Sequence, residues 1–524
     1  MTAITRLASV AAACAIALAP AVHAETVLRI VKGNELTALD PVASTATFAR
    51  DHGFLVYDQL FAFDTKGRPK QQMVQTSEVS ADGSTYTFTL REGLAFHDGA
   101  PVRAADAVAS IKRWWQRDVV GRALASATAA LEVVDDRRFT LRLNRPFALV
   151  EAALARPTAS ALFVMPERIA QTPAATPITD ATGSGPFIFR GDAWRIGDRA
   201  VYVRNPAYRP RAEAPDGLAG GKVAKVDRIE WLAMPDAATV AGALANGEID
   251  YWELPPADFI PAIERNPALR LTPINPAGSM IWLRMNHTQP PFNDVRMRRA
   301  LLHAVNQRDV LDAAGIPEAD RVDWCPAYFL CGTPNETAAG SEGFETPDLA
   351  RGAALLKEAG YDGRPVVFLD SANLPTNHAA TLVLAQAFQR MGLRMDVQAL
   401  DFATVATRRN NRNPVDQGGW NLFITVATSL DAGDPLTNLY LAMPCEGGLA
   451  GWPCDQTMED LRRSWWEERD EGKRRAILDA VQRRAWEVVP YANVGQFRFR
   501  AAVRRNIEGV QASTVPVFWG IEKK

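Results

Sequence analysis

The serine, histidine and cysteine side chains of this sequence lack the spacings on which hydrolytic, phosphoryl-transfer and redox chemistry depend. Residues 182–185 read TGSG and do not complete the GxSxG frame that exposes a nucleophilic serine. The sequence also has no GxxxxGK phosphate loop, no HExxH and no CxxC. Its histidines stand singly, and a lone His97 or His303 is more often a hydrogen-bonded structural residue than a catalyst or a ligand. The sequence therefore predicts neither an enzyme nor a metal site or cofactor.

Four cysteines lie beyond the N-terminal leader described below, in two local pairs, Cys325 with Cys331 and Cys445 with Cys454. An even number of cysteines in an exported chain indicates disulfides. Four cysteines can be joined in three arrangements. The arrangement with two local disulfides is favoured because each local pair lies in a loop that contains proline and glycine. A zinc site is the competing interpretation, but these spacings match no common zinc pattern and no histidine flanks them. We expect two disulfides that stiffen their loops.

The N-terminus has the features of a secretory signal peptide over residues 1–24. Arg6 precedes an apolar, alanine-rich run over residues 7–18, and the small-residue cleavage site ends at Ala24. The run is shorter than the roughly 20 apolar residues that span a bilayer, so a membrane anchor is the less favoured alternative. Lipidation at Cys14 is a second alternative, although the preceding alanines form a poor lipoprotein box. We expect a periplasmic protein without a membrane-spanning segment.

Composition and charge are those of a folded, soluble protein with more than one domain or lobe. The chain has 524 residues, of which 47% are hydrophobic and 23% are charged. Its formal net charge is only -2, and both signs are interspersed along the chain. Because no basic field is available to gather phosphate groups, nucleic acid is not an expected partner.

Strand and helix patterns alternate irregularly and predict a mixed α/β fold. Residues 85–91 and 138–143 alternate apolar with polar side chains, which is typical of half-buried strands. Between them, residues 104–115 place apolar side chains, including Trp115, on one helical face. Residues 58–183 therefore form a predicted α+β unit.

Three further helices are predicted in the second half of the chain. Thr346-Pro347-Asp348 supplies an N-cap, a first-turn proline and an acid, and Gly360 ends the helix that follows. The other two cover residues 458–468 and 473–489 and carry tryptophans that we assign to core packing.

Seven short motifs follow one another along the chain. They are LDP at 39–41, YDQLF at 57–61, YTFTLREGLAFHDG at 86–99, GSGPF at 183–187, RNPAY at 204–208, GEID at 247–250 and PFNDVR at 291–296. In this order they resemble the extracytoplasmic solute-binding proteins of ABC importers, in the dipeptide- and oligopeptide-binding group known as bacterial solute-binding protein family 5. The resemblance implies a two-lobe α/β periplasmic binding protein fold, type II-like and of cluster C, whose hinged lobes enclose the ligand.

The same resemblance implies how the chain is divided. An extra α+β subdomain of the first lobe takes residues 58–183. Lobe I consists of residues 25–57, 184–272 and 490–524. Lobe II consists of residues 273–489.

The stretch WNLFITVATSLDAGDPLTN at residues 420–438 contains the main candidates for ligand contacts. Asp431 resembles the aspartate that pairs with the ligand's α-ammonium in peptide-binding members, a charge-assisted hydrogen bond that strengthens once water is excluded. Thr428 stands where those members place a tryptophan, and it is counted as a candidate together with Trp420. The alternative is that Asp431 and Asp434 only cap their own turn.

The resemblance leaves the ligand's carboxylate without an obvious partner. Dipeptide-binding members have an arginine where this chain has DSAN, so Ser371 and Asn373 are the candidate contacts there. A carboxylate would then be bound by Arg408, Arg409 or Arg412, although arginines in a polar loop are more often solvated. Otherwise the ligand is longer, modified or not a peptide.

A third group of candidates follows the first strand. Thr45, Thr47 and Phe48 lie where family members present hydroxyl groups and backbone amides to the ligand. The alternative is a plain loop.

The resemblance implies a function in import rather than catalysis. We expect a monomeric substrate-binding component that captures a peptide or peptide-like amine and delivers it to the permease and ATPase complex of an ABC importer. One alternative keeps the fold and changes the ligand to a metal chelate, an opine or a saccharide, since fold does not set the ligand. A periplasmic amide hydrolase is the less favoured alternative.

Overall fold

The computed structural model describes residues 25–524, so the predicted signal peptide lies outside the described residues. In chain order the strands are β1 Val27–Val31, β2 Phe61–Phe63, β3 Pro69–Gln71, β4 Val74–Val79, β5 Thr85–Leu90, β6 Thr128–Val133, β7 Arg138–Leu143, β8 Phe187–Phe189, β9 Arg199–Arg204, β10 Arg228–Leu232, β11 Tyr251–Trp252, β12 Leu269–Pro273, β13 Ser279–Met285, β14 Arg321–Val322, β15 Val366–Ser371, β16 Met395–Leu400, β17 Leu422–Thr428, β18 Tyr491–Phe497, β19 Arg500–Arg504, β20 Ile507–Glu508 and β21 Glu522–Lys523.

The α-helices in chain order are α1 Thr47–Val56, α2 Ala104–Trp114, α3 Val119–Ser126, α4 Val150–Ala155, α5 Glu167–Ala170, α6 Ala237–Asn246, α7 Ile260–Arg265, α8 Val295–Leu302, α9 Gln307–Ala313, α10 Leu349–Glu358, α11 Pro375–Met391, α12 Phe402–Arg408, α13 Ser429–Ala432, α14 Gln456–Glu467 and α15 Glu471–Val488. Among residues 25–524, none of these helices combines the length and the apolar character that crossing a bilayer requires.

The first lobe is built on a seven-stranded sheet in the order β12-β19-β11-β1-β10-β9-β8. β1 runs parallel to both of its neighbours, β10 and β11, so the three carboxyl ends lie at the same edge. Leu28 and Ile30 of β1 are completely buried in the centre of this sheet. The late strand β19 returns to pair with β11 and β12, which makes the first lobe discontinuous in sequence.

The second lobe is built on a six-stranded sheet in the order β14-β18-β13-β17-β15-β16. All seven residues of β13 are buried because it is paired on both edges, with β17 and β18, and is covered by helices. The chain passes between the two sheets twice, through residues 274–278 and through residues 498–499.

The lobe boundary near the C-terminus differs from the one that the sequence predicted. Residues 490–524 were assigned to the first lobe, but β18 pairs with β13 and β14 in the second sheet. The first lobe therefore resumes only after Phe497. An apolar strand has the same sequence pattern whichever sheet it joins, so the pattern could not place this boundary.

A separate four-stranded sheet, in the order β4-β5-β7-β6, forms the subdomain. β5 and β7 lie where alternation predicted strands, and their apolar side chains are the buried ones. The predicted helix between them is α2, whose Trp114 is completely buried while Trp115 is only partly buried. Asp106 accepts a hydrogen bond of 2.7 Å from the N–H of Arg103 and so supports the helix start without a capping threonine.

The three helices predicted downstream are α10, α14 and α15. Asp348 is the N-cap of α10 and accepts a 2.8 Å hydrogen bond from the N–H of Arg351. The other two begin two residues earlier than predicted, because Asp455 and Asp470 cap them. Aspartates at these positions also suit the positive end of the helix dipole.

A buried ion pair fastens the subdomain to the rest of the first lobe. The Nη2 of Arg113 on α2 lies 2.7 Å from Asp40, which belongs to the LDP motif, and both side chains are almost fully enclosed. Burial alone would raise the pKa of Asp40, but the hydrogen bonds from Arg113, Val42 and Ala43 and the Arg113 charge outweigh it, so this pKa is held below its ordinary value.

Candidate ligand-binding site

A cavity of about 720 Å³ lies between the two lobes. The first lobe and its subdomain contribute residues 63–69, 156–158 and 512–514 to its walls, and the second lobe contributes residues 332–335 and both ends of α13. Pro276, in the first crossover, also lines it. The volume lies in the range of roughly 300–1,000 Å³ that small-molecule sites occupy.

One ion pair joins the lobes across this cavity. Arg156, directly after α4, pairs with Asp434, which follows α13. Only 11% of the Arg156 side chain and 4% of the Asp434 side chain are exposed. The guanidinium carbon of Arg156 also lies 5.9 Å from the centre of the Phe63 ring. Two opposite charges, one from each lobe, thus meet in a largely dehydrated part of the cavity.

The cavity lining has more basic than acidic side chains. Five basic residues, Lys66, Arg68, Arg156, Arg474 and Arg475, face three acidic ones, Asp64, Asp434 and Glu471. Within residues 25–524, neither Lys66 nor Arg474 forms an ion pair with an acidic side chain. This part of the cavity therefore favours anionic groups.

The lobes are held together at a second place, beside the cavity. Arg469, between α14 and α15, donates hydrogen bonds to the carbonyl oxygens of Asp82 at 2.8 Å and Gly83 at 2.6 Å in the turn after β4. The N–H of Ala148 donates to the carbonyl oxygen of Trp466 at 2.9 Å. The subdomain therefore contacts the second lobe directly.

The first predicted disulfide, Cys325 with Cys331, forms and precedes the cavity loop 332–335. The side chain of Gln307 exchanges hydrogen bonds with the backbone of Cys325, and that of Gln496 does the same with Cys331. These bonds and the disulfide fix both ends of the segment 325–331, which leads directly into the cavity loop.

The second predicted disulfide also forms, between Cys445 and Cys454. Both local pairings are therefore confirmed.

Asn335 of the cavity loop donates to the carbonyl oxygen of Gly433 at 2.8 Å, which joins two walls of the cavity within the second lobe.

The comparison with known proteins identifies the family. The profile of the bacterial extracellular solute-binding proteins, family 5 Middle, matches residues 68–449, which is more than half of the chain. A probable peptide ABC transporter periplasmic-binding protein of Sinorhizobium fredii is 38% identical over 509 residues, 96% of this chain and 94% of that protein. The chain belongs to this family.

More distant relatives differ in the ligands that their names give. Glutathione-binding protein GsiB of Salmonella typhi is 27% identical over 425 residues, 79% of this chain and 78% of that protein. The oligopeptide-binding protein AppA of Bacillus subtilis, solved with a nonapeptide, has a TM-score of 0.74 at 17% identity and covers 95% of this chain and 99% of its own. AgaA of A. tumefaciens R10, solved with agropinic acid, has a TM-score of 0.72 at 21% identity with the same coverage. These structures share the two-lobe fold.

Family membership establishes what kind of protein this is. This family 5 solute-binding protein is the substrate-binding component of an ABC importer, works outside the cytoplasm, and is not an enzyme. The amide hydrolase considered from the sequence is set aside on this ground.

The TGSG segment of this solute-binding protein has a structural role. A Cβ on Gly183 would overlap the carbonyl oxygen of Val56, so only glycine fits this close approach. His97 accepts from the N–H of Gly183 through Nδ1 and donates from Nε2 to the carbonyl oxygen of Gly185, which fixes the neutral tautomer. Burial lowers the pKa of His97 and keeps it neutral.

Asp431 lies next to the cavity but outside its lining. It is exposed, and its Oδ2 accepts from the N–H of Thr428 at 3.2 Å and from the hydroxyl of Thr428 at 2.8 Å, so the two residues cap α13. Its neighbours Leu430 and Gly433 do line the cavity. Asp434 caps its own turn, as the alternative interpretation predicts, and it also faces the cavity.

Ser371 and Asn373 lie at the end of β15, outside the lining of the cavity. Ser371 is buried at the strand end, and the side chain of Asn373 accepts a 2.8 Å hydrogen bond from the N–H of Phe402. The neighbouring Asp370 is buried and pairs with His378 at 2.7 Å. The side chains at this end of β15 are therefore engaged by contacts within the second lobe itself.

Trp420 lies in a core of the second lobe, away from the cavity. Its side chain is completely buried, its Nε1 donates to the carbonyl oxygen of Arg409 at 2.9 Å, and its ring centre lies 6.0 Å from that of Trp452. An enclosed indole offers no surface to a ligand. Trp420 therefore contributes to packing. The sequence alone does not distinguish a tryptophan buried in a core from one that contacts a ligand.

Thr45 and Thr47 are exposed at the start of α1, and Phe48 packs against the core of the first lobe. None of the three is part of the cavity lining. Their proposed contact with a ligand stays a prediction.

The three arginines considered for the ligand's carboxylate also lie outside the cavity lining. Arg408 donates to Gln398 at 2.6 Å and to the carbonyl oxygen of Gly418 at 3.1 Å, and Arg412 stacks over Trp452 with its guanidinium carbon 4.6 Å from the ring centre. Arg409 lies 5.7 Å from the ring centre of Phe423. These side chains stabilise their own loop.

Sequence reasoning missed all five basic residues that line the cavity, including Arg156, which pairs across it. A single arginine followed by proline after a short helix has no spacing that distinguishes it from a surface residue. Its partner Asp434 lies in another lobe, so only the folded chain brings the two together.

Proposed function

We propose that this solute-binding protein captures a peptide or a peptide-like amine between its lobes and delivers it to the permease and ATPase complex of an ABC importer. The interlobe cavity supports this proposal, because a basic and an acidic side chain face each other within it, as the two ends of a peptide require. The printed name of the 38%-identical relative supports the same ligand class.

The mechanism is closure that depends on the ligand. A ligand in the cavity contacts the subdomain, the first lobe and the second lobe together, so it stabilises the closed arrangement through its differential affinity for it. The crossovers at 274–278 and 498–499 are the two segments that must bend. The importer then recognises the closed surface.

A thermal-shift screen tests the proposal. Purified protein is heated with random peptide libraries of two to five residues, with glutathione, and with acyclic and cyclic opines. Mass action requires a bound ligand to raise the melting temperature by an amount that grows with its concentration. A rise with peptides supports the proposal, and isothermal titration calorimetry then gives the affinity. Correctly folded protein that responds to no peptide contradicts it.

The competing ligand class is a small non-peptide molecule with several carboxylates, such as an opine. The excess of basic groups, including Lys66 and Arg474, favours it, and Thr428 provides no aromatic surface for a peptide side chain. In the same screen, opines that stabilise the protein while peptides do not would establish this class.

We also propose that the protein acts as a periplasmic monomer, released from its signal peptide near Ala24. Membership of the extracellular solute-binding protein family and the periplasmic-binding relative support the periplasmic location. N-terminal sequencing of the exported protein tests the cleavage site, and light scattering coupled to gel filtration tests the monomer. A chain that begins at Met1, or a stable dimer, contradicts the respective statement.

A further inference from the structure

We infer that Arg156 and Asp434 are the residues that determine ligand specificity, and that a zwitterionic ligand replaces their mutual ion pair. The ligand's carboxylate binds Arg156, and its ammonium binds Asp434. The inference rests on the proposed capture of peptides and names which charged groups the peptide must carry.

The guanidinium of Arg156 is placed to receive a carboxylate. It lines the cavity, its side chain is nearly enclosed, and it is oriented by the ring of Phe63. Within the part of the chain that the structure describes, its buried Nε has no hydrogen-bond partner. A carboxylate can bind a guanidinium by two parallel hydrogen bonds, so a ligand that engages Nε and one Nη would satisfy this donor.

The carboxylate of Asp434 is held so that one oxygen faces the cavity. Its Oδ1 accepts from the N–H of Leu436 at 2.8 Å and from the N–H of Thr437 at 3.0 Å. Its Oδ2 is the atom that pairs with Arg156. Because the backbone orients the first oxygen, the second stays directed into the cavity when Arg156 moves away, where it can accept from an ammonium.

The cost of separating the two side chains selects for a ligand with both charges. Removing one partner of a buried ion pair leaves an uncompensated charge, and breaking such a pair is strongly destabilising. A neutral ligand that separates Arg156 from Asp434 leaves two such charges, and a singly charged ligand leaves one. A zwitterion leaves none, because each side chain exchanges one counter-charge for another.

The test compares peptides whose ends are blocked. Three equimolar random tripeptide libraries are offered to the protein: one with free ends, one acetylated at the amino end and one amidated at the carboxyl end. Native mass spectrometry measures the bound peptide. For the wild-type protein we expect both blocked libraries to bind at least ten-fold more weakly than the free one, because each leaves one side chain of the pair without a counter-charge.

Variants assign each end of the peptide to its side chain. Arg156→Gln should bind the amidated and the free libraries equally well, and Asp434→Asn should do the same for the acetylated and the free libraries. Arg156→Lys keeps the charge and should still prefer a free carboxylate, which separates a binding role from a merely structural one. Arg364→Gln, in an exposed pair with Asp362, is the matched control and should behave as wild type.

Each outcome decides between the alternatives. Equal binding of free and blocked libraries overturns the inference and leaves peptide capture intact. Blocked-end discrimination that persists in Arg156→Gln and Asp434→Asn also overturns it. Loss of amine preference in Asp431→Asn but not in Asp434→Asn returns the ammonium to Asp431 and overturns it as well. Binding of no tripeptide library, when the screen also finds no peptide, overturns the proposed function and the inference with it.

Discussion

Replacing Arg113 by methionine should destabilise the first lobe strongly, because it leaves Asp40 buried without a counter-charge. The guanidinium of Arg113 contacts Asp40 at 2.7 Å and 3.1 Å and also donates to the carbonyl oxygens of Thr172 at 2.9 Å and Thr176 at 3.2 Å. Methionine fills similar space but makes none of these bonds.

The magnitude follows from what is lost and what stays. Each lost hydrogen bond involving the charged guanidinium is worth about 1.5–3 kcal/mol. Asp40 keeps the N–H donors of Val42, Ala43 and Ile178, which offsets part of the loss. The net cost should be about 3–5 kcal/mol, the range found when one partner of a buried pair is removed.

The pH dependence of the loss identifies its cause. In the wild type the pKa of Asp40 lies below its ordinary value, so its contribution to stability is complete above pH of about 4 and disappears as the pH falls through the folded-state pKa. In Arg113→Met the hydrogen bonds and the charge of Arg113 are lost, so burial is opposed only by the remaining backbone N–H donors and the pKa of Asp40 rises relative to the wild type. The difference between variant and wild type should therefore be largest at pH 7 and shrink below pH 4.

Urea unfolding of both proteins at several pH values between 3 and 7 measures this difference. Arg190→Met, which removes an exposed arginine paired with Asp192, is the matched control and should leave the unfolding midpoint unchanged. A loss below about 1 kcal/mol at pH 7, or one that does not vary with pH, would refute the reasoning.

Three further predictions concern the crossover, a disulfide and a helix cap. Gly278→Ala should cost about 2 kcal/mol or more and weaken ligand binding, since Gly278 has a φ of 72° and its new Cβ would overlap the carbonyl oxygen of Phe497, the last residue of β18 before the other crossover; melting temperature and calorimetry measure both effects. The double replacement Cys325→Ser and Cys331→Ser should cost about 2–3 kcal/mol in urea unfolding and abolish the effect of a reductant on this loop. Asp348→Ala should cost about 1 kcal/mol through loss of the α10 cap, and an unchanged unfolding midpoint would contradict this.

Local patterns predicted the elements well because they depend on neighbours in sequence. Alternation located β5 and β7, and helical periodicity with caps located α10. The predicted starts of the two late helices are two residues too late, and the capping aspartates Asp455 and Asp470 mark the true starts. The disulfide pairs were predictable because both are local.

The site was harder to predict because its parts come from distant segments. Arg156 and Asp434 come from different lobes and meet only in the folded chain, and neither has a distinctive sequence neighbourhood. Trp420, by contrast, has a conspicuous sequence and lies in a core. Asp431 was singled out by resemblance, and the structure directs its Oδ2 to Thr428. Sequence pattern identifies residue types, but only the fold determines which of them face the cavity.

The two crossovers also make the second lobe a single uninterrupted insertion within the first. Every strand of its sheet lies between Ser279 and Phe497, and the ends of this segment are bonding neighbours in β13 and β18. If residues 279–497 were exchanged as one segment between relatives, every strand of both sheets would keep its pairing partners within its own sheet. The second lobe's part of the cavity wall therefore lies in one continuous segment, and exchanging that segment at its two adjacent ends would change the lining from this lobe alone.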